Sequence, residues 1–216
     1  MQFAILATLF ATASAFTNPT LHPSSSPTQL SAFKTSIGAQ APLGFFDPLG
    51  MLADADQERF DRLRSVEIKH GRISMLAVVG NLVTGYGVHL PGSIDKAGHT
   101  FASIPTGMAA FNAVPAEGLP TAGIAQIVGF IGCLELFVMK DSANGAAPGA
   151  FPGDFRNGYI DFGWDKLAEK KQNAKRGIEL NNGRAAMMGI LGMMVHEQIN
   201  GEPLIINKLL GMSGTY

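Results

Sequence analysis

The sequence predicts an all-α membrane protein with three transmembrane helices, in which the first and third helices cross and are related by a pseudo-two-fold axis. Two observations support this prediction. Of the 216 residues, 46% are hydrophobic and 15% are charged, which is more apolar than a typical soluble domain. In addition, the stretch EIKHGRISMLAVVG (67–80) returns as ELNNGRAAMMGILG (179–192). A repeated segment marks a repeated structural unit, here a helix.

Each copy of the repeat begins with polar residues and continues with apolar ones. On a helix, Glu67 lies close to His70, whereas Arg72 lies roughly 140° away around the axis. This spacing does not suit a surface ion pair within one helix. Because an unpaired carboxylate in an apolar interior is costly, we expect an exchange between the crossed helices, Glu67 with Arg184 and Glu179 with Arg72.

A glutamate paired in this way keeps an oxygen lone pair but little net charge. Such a group suits the axial position of a chlorophyll Mg, a hard cation that prefers oxygen or imidazole donors. His70 and Asn182, each three residues after the glutamate of its copy, supply further neutral donors. The alternative is a pair of ordinary amphipathic helices with solvated charges, and it leaves the match between the two copies unexplained.

The motifs Glu67-x-x-His70-Gly-Arg72 and Glu179-x-x-Asn182-Gly-Arg184 resemble those of the light-harvesting chlorophyll-binding family. The stretches PGSIDKAGHTFASIP (91–105) and PGDFRNG (152–158) resemble more narrowly the fucoxanthin–chlorophyll a/c proteins of diatoms and brown algae. The resemblance covers the chain from about residue 32 onward. It implies chlorophyll a, chlorophyll c and fucoxanthin or a related carotenoid as cofactors, with these chlorophyll Mg ligands: Glu67, His70, Glu179, Asn182 and His196.

The first 31 residues are predicted to be targeting segments. Residues 1–15 have a short apolar stretch that ends in Ala-Ser-Ala, which is typical of a signal peptide. Residues 16–31 are rich in Ser, Thr and Pro and have no acidic residue, as in a transit peptide. Together they resemble the bipartite presequence of plastids bounded by extra membranes. The predicted pigment-binding domain is therefore 32–216.

Two similar loops precede the repeat copies, GFFDPLG (44–50) and GYIDFGW (158–164). Their Asp, Pro and Gly residues favour turns. In the resembled family, such loops pack against the ends of two carotenoids that lie in the grooves of the crossed helices. From composition alone, a plain turn with an aromatic anchor is an equally good interpretation.

The first helix is predicted at about 56–90, with Asp54 or Asp56 as its N-cap and an apolar part long enough to complete a crossing. The third is predicted at about 164–199. Its apolar run, 185–195, is too short for hydropathy alone to predict a span, so that prediction depends on the repeat. His196 ends this run. An interfacial histidine is the alternative, but its position matches a ligand site in the resembled family.

The middle helix is predicted at about 119–139, and two polar residues interrupt it. Gln126 is predicted to bind a pigment, with a hydrogen bond to a neighbouring helix as the alternative. Glu135 would be costly if buried alone, and either a pigment Mg or a Lys or Arg from elsewhere would relieve that cost. The single cysteine, Cys133, excludes an internal disulfide, and its apolar neighbours predict a packed thiol.

Basic residues predict the orientation in the membrane. By the positive-inside rule, the N-terminus and the second loop face the stroma of the plastid, and the loop 91–121 and the C-terminus face the thylakoid lumen. The luminal side has only Lys96 and Lys208. The stromal side has Lys34, Arg59, Arg62, Arg64, Lys140, Arg156, Lys166, Lys170, Lys171, Lys175 and Arg176.

The leading functional hypothesis is a thylakoid pigment scaffold that passes excitation energy to a photosystem. Its expected partners are the photosystem core, other antenna subunits and membrane lipids, in a homo- or hetero-oligomer. A net charge of −1 gives no indication of nucleic-acid binding, and no P-loop, G-x-S-x-G or H-E-x-x-H motif indicates an enzyme.

Two alternatives remain at this point. A photoprotective member of the same family would need clustered luminal carboxylates, and the luminal side offers only Asp95, Glu117, Glu197 and Glu202, with His89 and His99. A small ion or proton transporter would use intramembrane Glu, His and Arg as a relay. Two mutually crossed Glu/Arg pairs would close such a path.

Overall fold

The structure is a computed structural model that describes residues 32–53, 55–111, 121–139, 151–155 and 163–201, and the extended elements of regular structure in these ranges are helices. Helix α1 is Gln57–Gly85, α2 is Thr121–Cys133 and continues as a π-helical turn at Leu134–Val138, and α3 is Glu169–Asn200. Short 3-10 helices lie at Phe101–Ser103, Gly107–Phe111 and Trp164–Lys166. Extended pairing in these ranges is limited to two isolated bridges. The prediction of an all-α fold is confirmed, and the targeting segments lie outside the described residues.

The ends of α1 follow from local backbone chemistry. Asp56 is the N-cap, and its carboxylate accepts a hydrogen bond of 2.8 Å from the backbone N–H of Arg59. At the other end, Gly87 has φ +74°, and the N–H of Val88 reaches back to the carbonyl of Val83. This is a Schellman motif, in which glycine adopts a left-handed conformation. The predicted end at about residue 90 is therefore wrong, because Gly87 stops the helix first.

The predicted start of the third helix is also wrong. Trp164–Lys166 forms a separate 3-10 turn, and Leu167 has extended backbone (φ −80°, ψ 135°), so α3 begins at Glu169. Its C-terminal end is closed by Gly201 at φ 69°. The outer helices have 29 and 32 residues, against 13 residues in α2 and 5 in its π-helical turn. The expectation that the outer helices are longer is confirmed.

The helices α1 and α3 meet at Gly71 and Gly183. A Cβ atom built on either glycine would lie 3.0 Å from the Cα atom of the other. Only residues without a side chain permit so close an approach of two backbones. These two glycines occupy matching positions in the repeat, so the crossing point lies on the predicted pseudo-two-fold axis.

Helix α2, in contrast, packs along its length against neither outer helix in the described structure. Its side chains are correspondingly open: Phe130 is 65% exposed and Phe137 is 76% exposed. Cys133 is exposed as well, and the prediction of a packed thiol is wrong because little protein covers this helix. Large apolar side chains are also exposed along the outer helices, including Ile73, Leu76, Val79, Met188, Leu191 and Ile199.

No helix in the described ranges combines the length and the sustained apolar character that would let it cross a membrane. The helical fold and the crossing of α1 with α3 are established by the helices and the glycine contact described above. The three membrane crossings and the side that each loop faces stay predictions.

Candidate functional site

Two ion pairs link α1 to α3 on either side of the glycine crossing. The Nε atom of Arg184 donates to Oε1 of Glu67 at 2.7 Å, and the Nε atom of Arg72 donates to Oε1 of Glu179 at 2.6 Å. Both glutamates are about three-quarters buried, with 27% and 28% of their side chains exposed. The predicted exchange of partners between the two repeat copies is confirmed at both pairs.

Each arginine of these pairs also forms a hydrogen bond to a loop beside the crossing. The Nη1 atom of Arg184 donates to the carbonyl of Gly38 at 2.9 Å, and Nη1 of Arg72 donates to the carbonyl of Gly153 at 2.8 Å. A guanidinium can do this because its donors form a rigid fork. Sequence analysis did not predict these two carbonyl contacts, since a backbone acceptor leaves no signal in residue identity.

A third arginine stands beside Glu67. Arg64 is only 9% exposed, and its Nη1 atom lies 3.5 Å from Oε2 of Glu67. It donates to the hydroxyl of Ser36 at 3.1 Å and lies over the ring of Phe60, which stacks on Phe33. Burial lowers the pKa of Arg64, the charge of Glu67 opposes that shift, and the nearby Arg184 adds to it.

The matching residue of the second copy, Arg176, has a different environment. Its guanidinium lies 5.0 Å from the ring centre of Phe151 and 5.7 Å from that of Trp164, and it donates to the side chain of Asn173 at 3.2 Å. The sequence analysis predicted no role for Arg64 or Arg176 beyond their part in the bias of basic residues. The signal that could have identified them is that an arginine lies three residues before the ion-paired glutamate in each copy.

His70 and Asn182 lie on open faces of their helices. The Nδ1 atom of His70 lies 2.9 Å from the carbonyl of Val66. Since a carbonyl only accepts, Nδ1 carries the proton, and a neutral ring then has a free lone pair on Nε2. Asn182 is exposed, and its amide bonds to no residue that the structure describes. Each of these side chains can therefore offer one neutral atom with a lone pair to the metal of a bound cofactor.

The remaining predicted site residues occupy separate positions. Gln126 is exposed on α2 without a hydrogen-bond partner in the described ranges, so the predicted alternative of a bond to a neighbouring helix is absent there. Glu135 forms an ion pair with Lys69 of α1, which is the alternative that the sequence left open. His196 is partly buried near the end of α3, and its Nδ1 atom is buried without a partner.

Cavities adjoin both ion pairs, and a further one lies elsewhere between α1 and α3. One of about 460 Å³ adjoins Glu67 and Arg184 and is lined by aromatic residues of the 44–50 loop. Another of about 240 Å³ adjoins Glu179 and Arg72. A third of about 650 Å³ lies between the C-terminal half of α1, the loop after it and α3, with lining residues that include Ala77, Phe101, Met108, Ile190 and Met194.

The loop ahead of α1 is a compact turn, as predicted. The carboxylate of Asp47 accepts hydrogen bonds from the backbone N–H groups of Met51 and Leu52, at 3.0 and 2.8 Å. Its aromatic residues Phe45 and Phe46 line the cavity beside Glu67. The matching residues 158–162 lie outside the part of the chain that the structure describes.

The described residues contain no group of three or more metal-binding side chains. The predicted ligands therefore form no metal-binding cluster among themselves in these ranges. The arrangement offers single oxygen and nitrogen donors, and two of these residues, Glu67 and Glu179, adjoin cavities. This is the donor set that a metal macrocycle needs, because the ring supplies the other ligands.

Comparison with known proteins agrees with this arrangement. Residues 33–198 match the model of the family described as "Chlorophyll A-B binding protein". A fucoxanthin-chlorophyll a-c binding protein of Trieres chinensis is 56% identical over 97% of this chain and 100% of its own length. Protein F of that name from Phaeodactylum tricornutum is 58% identical over 96% and 100%, and protein B of Macrocystis pyrifera is 55% identical over 86% and 82%. The chain belongs to the chlorophyll A-B binding protein family.

Proposed function

We propose that this protein is a light-harvesting antenna protein that binds chlorophyll a, chlorophyll c and fucoxanthin. Its family and the names of its relatives support this function, and those relatives are named as chloroplastic. The observation that carries the proposal is the pair of crossed ion pairs, Glu67 with Arg184 and Glu179 with Arg72. Bound chlorophyll absorbs light and passes the excitation energy to neighbouring pigments and on to a photosystem.

The chain's residues hold and orient the pigments. A glutamate whose charge is balanced by an arginine can offer an oxygen to Mg, and its burial costs less than that of an unpaired carboxylate. His70 offers Nε2, because its Nδ1–H bond to Val66 fixes the tautomer and the ring orientation. We assign Mg ligation to Glu67, His70, Glu179, Asn182 and His196, with Gln126 and Glu135 as further pigment contacts.

Carotenoid binding is supported by open apolar space in the fold. Buried apolar residues in the described ranges are few, namely Phe33, Ala55, Ile68 and Leu180. Such a small core does not hold three helices together in a fixed arrangement. The cavity of about 460 Å³ beside the 44–50 loop and the open faces of α2 provide surface for elongated apolar ligands.

We further propose that the protein resides in the thylakoid membrane with three crossings and a stromal N-terminus. The bias of basic residues supports this orientation. The exposed apolar side chains on all three helices support contact with lipid, pigment or other antenna subunits. The photosystem core is the expected acceptor of the excitation energy.

The direct test is purification of the native membrane protein, followed by its absorption spectrum and a chromatographic analysis of its pigments. An antenna gives chlorophyll a, chlorophyll c and fucoxanthin in fixed ratios, with energy transfer from fucoxanthin to chlorophyll a. A preparation without bound pigment refutes the proposal and favours the transporter. Fluorescence that is strongly quenched when the pH is lowered from 7 to 5 favours the photoprotective alternative.

A substitution tests the ligand assignment. His70→Leu removes the Nε2 donor and leaves the helix crossing untouched, because the ring is exposed. We expect one chlorophyll fewer per chain after reconstitution, with unchanged helix content. The matched control is His99→Leu, since His99 lies in the loop and is bonded to Asp95 at 2.5 Å. An unchanged chlorophyll content in the His70 variant contradicts the assignment.

A further inference from the structure

Glu197 is a buried carboxylate in the last turn of α3, and only 9% of it is exposed. Its Oε1 atom accepts a hydrogen bond of 2.7 Å from the backbone N–H of Met108. Its Oε2 atom is buried without a hydrogen-bond partner in the described ranges. Because a buried oxygen without a partner is unfavourable, an apolar side chain would cost less at this position. The bond to Met108 is therefore the feature that distinguishes Glu197 from an apolar residue.

The backbone of Gly107 fits closely against this carboxylate. Gly107 has φ +68°, a left-handed conformation that residues with a side chain rarely adopt. A Cβ atom built on it would lie 2.6 Å from the carboxyl carbon of Glu197 and closer still to both oxygens. The contact thus needs a glycine at 107 for two independent reasons, and it needs an acceptor at 197.

This contact joins a loop to both outer helices far from their crossing. Gly107–Phe111 is a 3-10 helix that contacts α1 as well as α3. Glu197 lies 14 residues after Gly183, which is about 21 Å along the helix axis. Helices that cross at one point diverge away from it, so the 3-10 helix contacts both where they are apart. The first copy has Gly85 at the position that matches Glu197, so the repeat does not supply a second carboxylate of this kind.

The cavity of about 650 Å³ lies in the opening between the diverging helices. Ala77 of α1 and Ile190 of α3 line two of its sides. A further wall is formed by the 3-10 helix itself, through Gly107, Met108 and Phe111. The cavity therefore keeps its shape only while this 3-10 helix stays in contact with α3.

We propose that Glu197 is a positioning residue that holds the 3-10 helix Gly107–Phe111 against α3 and so maintains this wall of the cavity. The inference rests on the proposed function, because it takes the occupant of the cavity to be an apolar part of a bound pigment. Glu197 does not bind the pigment, since its Oε1 atom is used by Met108. It differs in this from the preceding residue, His196, to which Mg ligation is assigned.

A matched pair of substitutions tests the acceptor in full-length mature protein reconstituted with chlorophyll a, chlorophyll c and fucoxanthin. Glu197→Gln keeps the length of the side chain and an oxygen acceptor, whereas Glu197→Met keeps the length and has no such acceptor. Chymotrypsin cleavage at Phe101 and Phe111 measures how often the segment opens. Pigment content per chain and the visible circular dichroism spectrum measure the state of the cavity.

We expect Glu197→Gln to match the unaltered protein in all three measurements. Glu197→Met should be cleaved about tenfold faster, the factor that follows from the loss of one buried hydrogen bond. It should also lose pigment and the corresponding circular dichroism band. Equal behaviour of the two variants overturns the proposal. Faster cleavage with unchanged pigment content also overturns it, because the contact would then be structural only.

A second pair of substitutions tests the fit between Glu197 and Gly107. Gly107→Ala should be damaging, whereas the control Gly98→Ala also has positive φ (94°) but meets no atom within 4 Å. In the Glu197→Ala background, Gly107→Ala should cause a smaller further loss of pigment, because the clash is removed and only the backbone strain remains. The same loss in both backgrounds contradicts the proposed contact.

Two outcomes separate this inference from the function itself. If the unaltered protein takes up no pigment, the antenna function fails. If it takes up pigment and Glu197→Met keeps its full pigment content, only the role of Glu197 fails. Should Glu197→Met not assemble at all, assembly of Glu197→Gln supports the proposal, and failure of both variants refutes it.

Discussion

Glu67 and Glu179 hold matching positions in the two copies of the repeat, and each accepts from the Nε atom of the other copy's arginine. Their surroundings differ. Glu67 has a second guanidinium 3.5 Å away, that of the buried Arg64. Glu179 has Arg72 as its single ion-pair partner in the described structure, because the guanidinium of Arg176 lies over the rings of Phe151 and Trp164.

This difference shows which contacts of the repeat must be the same in both copies. The exchange of ion pairs and the glycine contact are identical in both halves, since each needs the other across the axis. The residues around them have diverged, and the adjoining cavities have different volumes, about 460 and 240 Å³. The first carboxylate is thus backed by two cations, whereas Oε2 of the second bonds to none of the residues that the structure describes.

The largest expected effect is that of Arg72→Leu, which leaves Glu179 without a counter-charge. An unpaired charge in a buried site costs about 3–5 kcal/mol, and a pigment over Glu179 makes its site buried. We expect almost no assembled pigment complex, measured as yield after reconstitution. Recovery in Arg72→Leu/Glu179→Gln shows that the charge is the cause; a normal yield from Arg72→Leu contradicts the role of the pair.

Arg184→Leu should be less damaging, because Arg64 remains beside Glu67. We expect a reduced but measurable yield of pigment complex, and a loss as severe as that of Arg72→Leu when Arg64→Leu is added. Thermal loss of the visible circular dichroism signal compares the three variants. If Arg184→Leu equals Arg72→Leu and Arg64→Leu adds nothing, the second arginine does not support Glu67 and the comparison fails.

The crossing itself should respond equally from both sides. Gly71→Ala and Gly183→Ala each place a methyl group 3.0 Å from a facing Cα atom, which forces the helices apart. Overpacking of this kind costs about 1–3 kcal/mol. We expect the two midpoints of thermal denaturation to fall by the same amount, with Gly80→Ala, where no atom lies within 4 Å, as a control. Unequal shifts break the pseudo-symmetry at its centre.

The last comparison concerns the residues that hold the two non-equivalent arginines. Ser36→Ala removes a hydrogen bond to the buried Arg64, a loss of about 1.5–3 kcal/mol for a bond to a charged group. Asn173→Ala removes the 3.2 Å hydrogen bond to Arg176. Because Arg176 keeps its contacts with the rings of Phe151 and Trp164, we expect a loss of stability below about 0.5 kcal/mol. Equal shifts of the denaturation midpoint contradict this ranking.

Sequence reasoning reached those parts of the site that are duplicated. The ion pairs could be predicted because each copy contains a glutamate and an arginine that cannot pair within their own helix. The arginine of each copy is therefore the expected partner of the glutamate in the other. Contacts that occur in only one copy had no such signal, which is why the partner of Glu135 was left open between a pigment and an unspecified Lys or Arg. The roles of Arg64 and of the carbonyls of Gly38 and Gly153 depend on tertiary placement.

The helix ends were predicted less well for a physical reason. Apolar residues continue from α1 past its Schellman motif to Leu90, so periodicity could not show that Gly87 adopts φ +74°. Hydrophobic character also predicted burial of Cys133, whereas α2 leaves its surface uncovered by protein. The second error treats apolar side chains as if only protein could cover them.

The central claim is that pigments complete the packing of a helix crossing that is held by two ion pairs. It is tested by refolding the mature protein with and without pigments and measuring circular dichroism and resistance to protease. Because ligands that bind only the folded state stabilise it by mass action, we predict that protease resistance appears only with pigment. A compact, protease-resistant protein formed without any pigment would contradict the account.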